Sequence, residues 1–310
     1  MIERVDFVKL SGSGNDFICI DNRDERFREL ISSGRAGHFA RTLCDRGPSI
    51  GADGLIFAES TDLLPDVHVF ARFFEPDGSE AELCGNGTGC FIFWAVTNGW
   101  LPEDEEVKSL TIAGVVRGQK LPGRYVRVCI PDPEEMQSDL ELTADGRLWK
   151  LDYLITGVPH VITYGPDVSE VDVARVGPPI RHHERFRPRG ANVNFVQVLG
   201  EGRIAMRTFE FGVEGETLAC GTGSAAAAIM AALRFGWSQE YLSGDKPVRI
   251  TARSGDTLKV YFTVREDGSI RGVCLETLVR CVFSGTIHPD LLAKALCPGA
   301  GGEGDPAPGG

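Results

Sequence analysis

The chain has 310 residues, long enough for two domains of about 100–200 residues each, and its composition is that of an ordinary globular protein. A formal net charge of −12, with no segment that concentrates basic residues, excludes nucleic acid and anionic lipid as partners and leaves a small polar substrate.

In chain order, two short strands over residues 7–21 flank Ser11-Gly12-Ser13-Gly14-Asn15-Asp16. No helix follows this glycine loop, so it is not a dinucleotide fingerprint, and Asn15 is either an Asx-turn or a substrate contact. A helix is predicted over 35–45, then a strand at 55–57 after Gly51-Ala52-Asp53-Gly54. A longer strand of β-branched and aromatic residues covers 67–74 and ends in the turn Pro76-Asp77-Gly78. Residues 88–100 read as a helix apolar on every side, hence enclosed by protein. Strands at 110–116 and 125–130 complete a first half, and Pro131-Asp132-Pro133 marks a boundary. The second half repeats the plan with strands at 148–155, 193–199 and 204–209. A helix then runs from Cys220 to about Gly236, followed by strands at 248–252, 258–264 and 272–283, the last long enough to return to the first half. His182 and His183 fall in an arginine-rich run and read as solvated. The halves are thus 1–130, completed by about 275–288, and 131–274; residues 289–310 read as a disordered tail.

Nothing in residues 1–9 has the apolar run of a leader, and the longest apolar stretch, near Ala225, is broken by Arg234. The expected location is cytoplasmic, with no membrane partner. The nine cysteines, from Cys19 to Cys297, include no Cys-x-x-Cys pair, so neither a disulfide framework nor a metal site is predicted, and most read as small buried hydrophobes.

Two of them differ. Cys84 and Cys220 each open Cys-Gly-x-Gly before an apolar helix, in A-E-L-C-G-N-G-T-G-C and E-T-L-A-C-G-T-G-S. A thiol at a helix N-terminus gains from the macrodipole and from unpaired amides, which can also hold a carboxylate. Cys90, inside its helix, has no such terminus. The predicted fold class is α/β (α+β), duplicated about a pseudo-two-fold axis. Two curved sheets each wrap a buried central helix, and the active site lies in the cleft between halves. Helices meeting N-terminus to N-terminus bring the two thiols face to face. Such a pair suits removal of a proton from one side of a carbon and return of one to the other. Neither turn has the Lys-Ser/Thr of a phosphate loop, and no G-x-S-x-G or H-E-x-x-H occurs. Two other readings are a redox sensor built on the thiol pair and an isomerase shifting a proton within an unsaturated acid.

The ordered motifs S-G-S-G-N-D-F from Ser11, G-A-D-G from Gly51, D-G-S-E-A-E-L-C-G-N-G from Asp77, G-V-P-H from Gly157, N-V-N-F-V-Q-V from Asn192 and G-E-T-L-A-C-G-T-G from Gly215 resemble diaminopimelate epimerase, a pyridoxal-independent family. The resemblance reaches to about residue 288. It implies an isomerase of amino-acid biosynthesis that takes LL-diaminopimelate to meso-diaminopimelate, on the route to lysine and peptidoglycan, with no cofactor; it allows a homodimer. It implies Cys84 and Cys220 as alternating base and acid, and Gly85, Asn86, Gly221 and Thr222 as amides for the reacting carboxylate. His160 and Glu210 would attend the amino group, and Asn15 and Asn192 would line the cleft. Three positions depart from the family pattern, all where the substrate's far end is held: Glu75 and Val158 replace asparagines, and Phe211 replaces an arginine, with an extra residue, Glu214, nearby. Gly89 also stands where an arginine is common. Either the substrate is another amino acid with a basic, aromatic or apolar side chain, or Arg207, Arg189 or another arginine reaches the site.

Overall fold

The computed structural model describes residues 2–81 and 84–297. The first unit contains β1 (Asp6–Gly12), β2 (Asn15–Asp21), α1 (Arg28–Ser32), α2 (Ala36–Cys44), β3 (Gly54–Leu64), β4 (Val67–Phe74), the short β5 (Glu80–Ala81), α3 (Gly85–Thr97), β6 (Val107–Thr111), β7 (Gly114–Lys120) and β8 (Tyr125–Cys129). The second contains β9 (Glu134–Ala144), β10 (Arg147–Thr156), β11 (Val158–Tyr164), α4 (Val173–Arg181), β12 (Asn192–Gly200), β13 (Arg203–Glu210), β14 (Gly215–Thr217), α5 (Gly221–Arg234), α6 (Gln239–Leu242), β15 (Val248–Thr251) and β16 (Thr257–Val264). The long β17 (Ile270–Thr286) and α7 (Pro289–Leu296) follow.

The same ladder occurs twice. In the first unit β1–β2 is antiparallel, β2–β3 parallel, β3–β4 antiparallel, β4–β6 parallel, and β6–β7–β8 antiparallel. The second unit repeats these relations from β10 through β11, β12, β13, β15 and β16 to β17. The shared β17 joins them: its first residues pair with β16, residues 274–278 pair with β8, and residues 279–286 pair with β1. That last pairing closes the first unit into a barrel. The architecture is therefore the predicted duplicated one.

Each sheet encloses a helix because that helix has no polar face to offer water. From Phe91 to Val96 of α3 only Phe93 is not fully buried, while the alanine run of α5 lets strands pack closely against it on all sides. Each large buried side chain contributes about 1.5–3 kcal/mol, and Phe91 and Ile92 are wholly enclosed. Outside the sheets, α1, α2 and α7 cover one unit and α4 covers the other. No helix among the described residues is long and apolar enough to cross a membrane.

Some expectations need correction. Cys129 and Cys274 are joined by a disulfide across the β8–β17 ladder, where no disulfide framework was predicted; the partners lie 145 residues apart, so no local spacing announces them. Residues 289–296, expected to be disordered, form α7, which starts at Pro289 and buries Leu292 and Ala295; the rest of the tail, from 298, lies outside the described residues. His182 and His183 lie at the surface as expected, His182 Nε2 2.8 Å from the exposed Glu214 Oε2 and His183 accepting a hydrogen bond from the amide of Arg185.

Candidate active site

Cys84 and Cys220 occupy the N-cap positions of α3 and α5 in nearly the same backbone conformation, φ −131°, ψ 113° and φ −123°, ψ 114°. The amide of Gly87 donates to Cys84 Sγ at 3.4 Å. Glycine at the third helical position is a packing requirement. A Cβ on Gly87 would lie 2.9 Å from the Phe73 ring, and one on Gly223 would lie 2.4 Å from Asn194 Oδ1. The helix starts meet: Asn86 Oδ1 lies 3.3 Å from the point where a Cβ on Gly221 would be. Leu275 of β17 lies against both, its Cδ1 being 3.8 Å from that point on Gly85 and 3.3 Å from it on Gly221. The first amides of both helices lack intrahelical partners, so Gly85, Asn86, Gly221 and Thr222 gather donors in one place.

A polar chain braces each start. Asn86 Nδ2 donates to Asn15 Oδ1 at 2.6 Å, and Asn15 Nδ2 donates to Asp53 Oδ2 at 3.3 Å. Asp53 is held by Arg46 at 2.7 Å and by the amide of Asp16 at 3.1 Å. In the second unit Asn194 Nδ2 lies 3.3 Å from His160 Nδ1, and His160 Nε2 lies 3.0 Å from Thr222 Oγ1. Burial holds the His160 imidazole neutral, its pKa down to about 3. With Nδ1 accepting from Asn194, the proton sits on Nε2 and is donated to Thr222. The Thr222 hydroxyl, 3.7 Å from Cys220 Sγ, is then free to donate to sulfur. His160 is fully buried and meets the cleft through Thr222.

Electrostatics depart from the simple helix-end argument. Burial first, then Glu75, pushes the Cys84 thiol up to about 12; burial and Glu210 push Cys220 up as well. A helix terminus contributes about 0.3–1 kcal/mol, under one pKa unit. Burial wins, and both thiols rest protonated. Glu75 and Glu210 follow Phe74 and Phe209 at the ends of the equivalent strands β4 and β13, one carboxyl beside each thiol. Both are raised to about 7, chiefly by burial; Asp77 and Asp53 add to Glu75, and Glu75 and Asp53 to Glu210. Glu210 Oε2 is buried with no hydrogen-bond partner among the described residues. The repeated Phe-Glu ahead of each turn was the signal that could have paired Glu75 with Glu210; Asp53, Asn194 and Leu275 offered none beyond their motifs.

The remaining positions form the rim. Asn192, buried, accepts from the amide of Phe211 at 2.7 Å and donates to the carbonyl of Pro159 at 3.4 Å. Val158 is half-buried at the start of β11, and Phe211 is exposed, its ring 4.5 Å from the Arg181 guanidinium. Glu214 accepts from Arg181 at 3.0 Å. Arg207 is committed elsewhere, donating to Glu216 at 2.6 and 2.8 Å and to the carbonyls of Val168, Ser169 and Val171. A Cβ on Gly89 would lie 2.8 Å from Thr277 Cγ2 of β17, so the side chain common at that position has no room here.

The fold is similar to solved structures of low identity. A phenazine biosynthesis protein of the PhzF family from Bacillus anthracis aligns with TM-score 0.65 at 16% identity, over 92% of this chain and 99% of that one. A probable proline racemase from Agrobacterium radiobacter aligns with TM-score 0.66 at 14% identity, over 92% and 93%. In sequence, the chain is 39% identical over 294 residues to a diaminopimelate epimerase of Aquifex aeolicus, covering 93% of this chain and 99% of the relative. It is also 39% identical over 288 residues to that of a Hydrogenobaculum species, covering 92% and 99%. The family model for diaminopimelate epimerase matches residues 7–119 and 153–273. With paired cysteine-capped helices in a duplicated fold, the chain belongs to the diaminopimelate epimerase family and is an isomerase that epimerises an amino acid.

Proposed function

We propose that the protein interconverts LL- and meso-diaminopimelate, with Cys84 and Cys220 exchanging protons on opposite faces of one α-carbon and no cofactor taking part. The observation that carries this reading is the matched pair of N-capping thiols on helices that meet at Asn86, Gly221 and Leu275. The relatives named for this activity, which align over nearly the whole chain, support the substrate.

The chemistry follows from the resting charges. Both thiols are protonated in the empty cleft, so a thiolate must arise as substrate enters. The α-ammonium brings a positive charge beside Glu210, whose orphaned oxygen can accept from it. A cation there favours both the carboxylate and a thiolate. The α-carboxylate takes the free amides of the two helix starts. One thiolate then removes the α-proton, and the opposite thiol delivers its own to the other face. Helix ends supply at most ~2 kcal/mol, against the ~8 kcal/mol or more that enzymes contribute. Prearranged donors and exclusion of water therefore carry most of the stabilisation of the planar carbanion.

The test is α-deuteration of LL-diaminopimelate in deuterated water, followed by proton NMR. The wild type incorporates deuterium and forms the meso isomer; Cys84→Ala and Cys220→Ala each abolish epimerisation. Full activity in either variant refutes the two-thiol mechanism, and a wild type that deuterates other amino acids but not diaminopimelate refutes the substrate.

A further inference from the structure

Pro159, Arg189, Gly190, Asn192 and Phe211 line one shallow surface depression beside Glu210 and His160 in sequence, with no enclosed cavity. Asn192 ties two of its walls together through the carbonyl of Pro159 and the amide of Phe211. The charge inside the cleft is acidic: beyond burial, Asp53 raises the cost of ionising both Glu75 and Glu210, and Glu75 raises that of Glu210. A substrate with a carboxylate at each end therefore needs a cation beyond the helix amides. Most nearby arginines are already neutralised. Arg207 and Arg253 both pair with Glu216, Arg181 pairs with Glu214, and Arg46 pairs with Asp16 and Asp53. Arg189 has no carboxylate partner among the described residues, and it lines the depression.

The backbone that carries Arg189 is held in place. Arg181 Nη1 donates to the Arg189 carbonyl at 2.8 Å, the amide of Gly190 donates to Phe186 at 2.7 Å, and the amide of Ala191 donates to Arg181 at 3.2 Å. Gly190 has φ +74°, and a Cβ there would overlap the Arg181 guanidinium. Arg181 thus acts as a strut under the loop, and Phe211 rests on the same guanidinium at 4.5 Å.

We infer that Arg189 is the specificity-determining residue that binds the substrate's distal carboxylate, from the loop before β12 and over the shallow depression it shares with Phe211 and Asn192. This inference rests on the substrate proposed above. A guanidinium fits a carboxylate with two parallel hydrogen bonds, and Asn192 holds the Pro159 and Phe211 sides of the depression in place.

The test is steady-state deuteration of LL-diaminopimelate by the wild type, Arg189→Ala, Arg189→Lys and Arg189→Ala/Phe211→Arg, with melting temperatures recorded for each. Arg189→Ala raises KM about tenfold or more, with a smaller change in kcat and an unchanged melting temperature. Lysine recovers part of the loss. An arginine placed on the Phe211 wall restores KM in the double variant. A folded Arg189→Ala enzyme with wild-type KM overturns the inference while leaving the proposed function intact; a wild type inactive on LL-diaminopimelate overturns both.

Discussion

Glu75 and Glu210 give the cleft a pH dependence of its own. A carboxyl with its folded-state pKa raised to about 7 binds its proton more tightly in the fold than in the unfolded chain. Its stabilising effect is complete below about 4.5 and is lost as pH rises through about 7. Glu75→Gln removes one of these penalties. The variant is expected to melt on the order of 2–4 °C above the wild type at pH 8, about 1 kcal/mol, and to lose that advantage at pH 4.5; differential scanning calorimetry at the two values checks it. The same substitution withdraws a like charge from Glu210. In the proposed mechanism ionised Glu210 accepts the ammonium, so activity is expected to fall as pH drops through its pKa, and this acidic limb is expected to move to lower pH in Glu75→Gln.

Between elements, the loop before β3 supports the start of α3 through Asp53, Asn15 and Asn86. Asp53→Ala leaves the Asn15 amide without its acceptor and lets Asn86 shift against Gly221. A displacement near 1 Å at such a position can cost about 100-fold, so kcat is expected to fall at least tenfold, with Asp53→Asn recovering most of it because a carboxamide oxygen still accepts from Asn15. How far such elements can be read in advance depends on whether their cause is local. The two cysteine turns were legible because glycine chemistry and the all-apolar helices after them are written within a dozen residues. Strand β9 was not, since its residues 134–139 are exposed and show no apolar alternation. Helix α4, for which no element was predicted, carries Pro178 and Pro179; it survives because Val173, Val176 and Ile180 are buried and Gly177 lets it close onto Phe209. Of the site, the thiols and Asn86 were readable. The raised carboxyls and the availability of Arg189 depend on charges brought together from distant segments, which no spacing records.

At the scale of the whole molecule, the disulfide between Cys129 and Cys274 closes a loop of 145 residues that contains most of the second unit. Chain-entropy arguments assign about 5 kcal/mol to a loop of that size, with typical measured values of about 2–4 kcal/mol. Cys129→Ser/Cys274→Ser, or treatment with a reductant, is expected to lower stability by about that typical amount in urea unfolding. Because Leu275 lies next to the disulfide and against both helix starts, the reduced protein is also expected to exchange amide hydrogens faster at Gly85 and Gly221.

The shared β17 has one more consequence. It closes the first barrel and is at the same time a strand of the second sheet, and its central residue Leu275 lies against both cysteine turns. Neither half of the gene encodes a half-enzyme: a product ending at residue 269 lacks the edge that closes the first barrel, and one beginning at 131 keeps a strand whose β1 and β8 partners are missing. The duplication visible in the ladder has thus been made irreversible by a strand that belongs to both copies, and fragments could restore activity only by complementation across it.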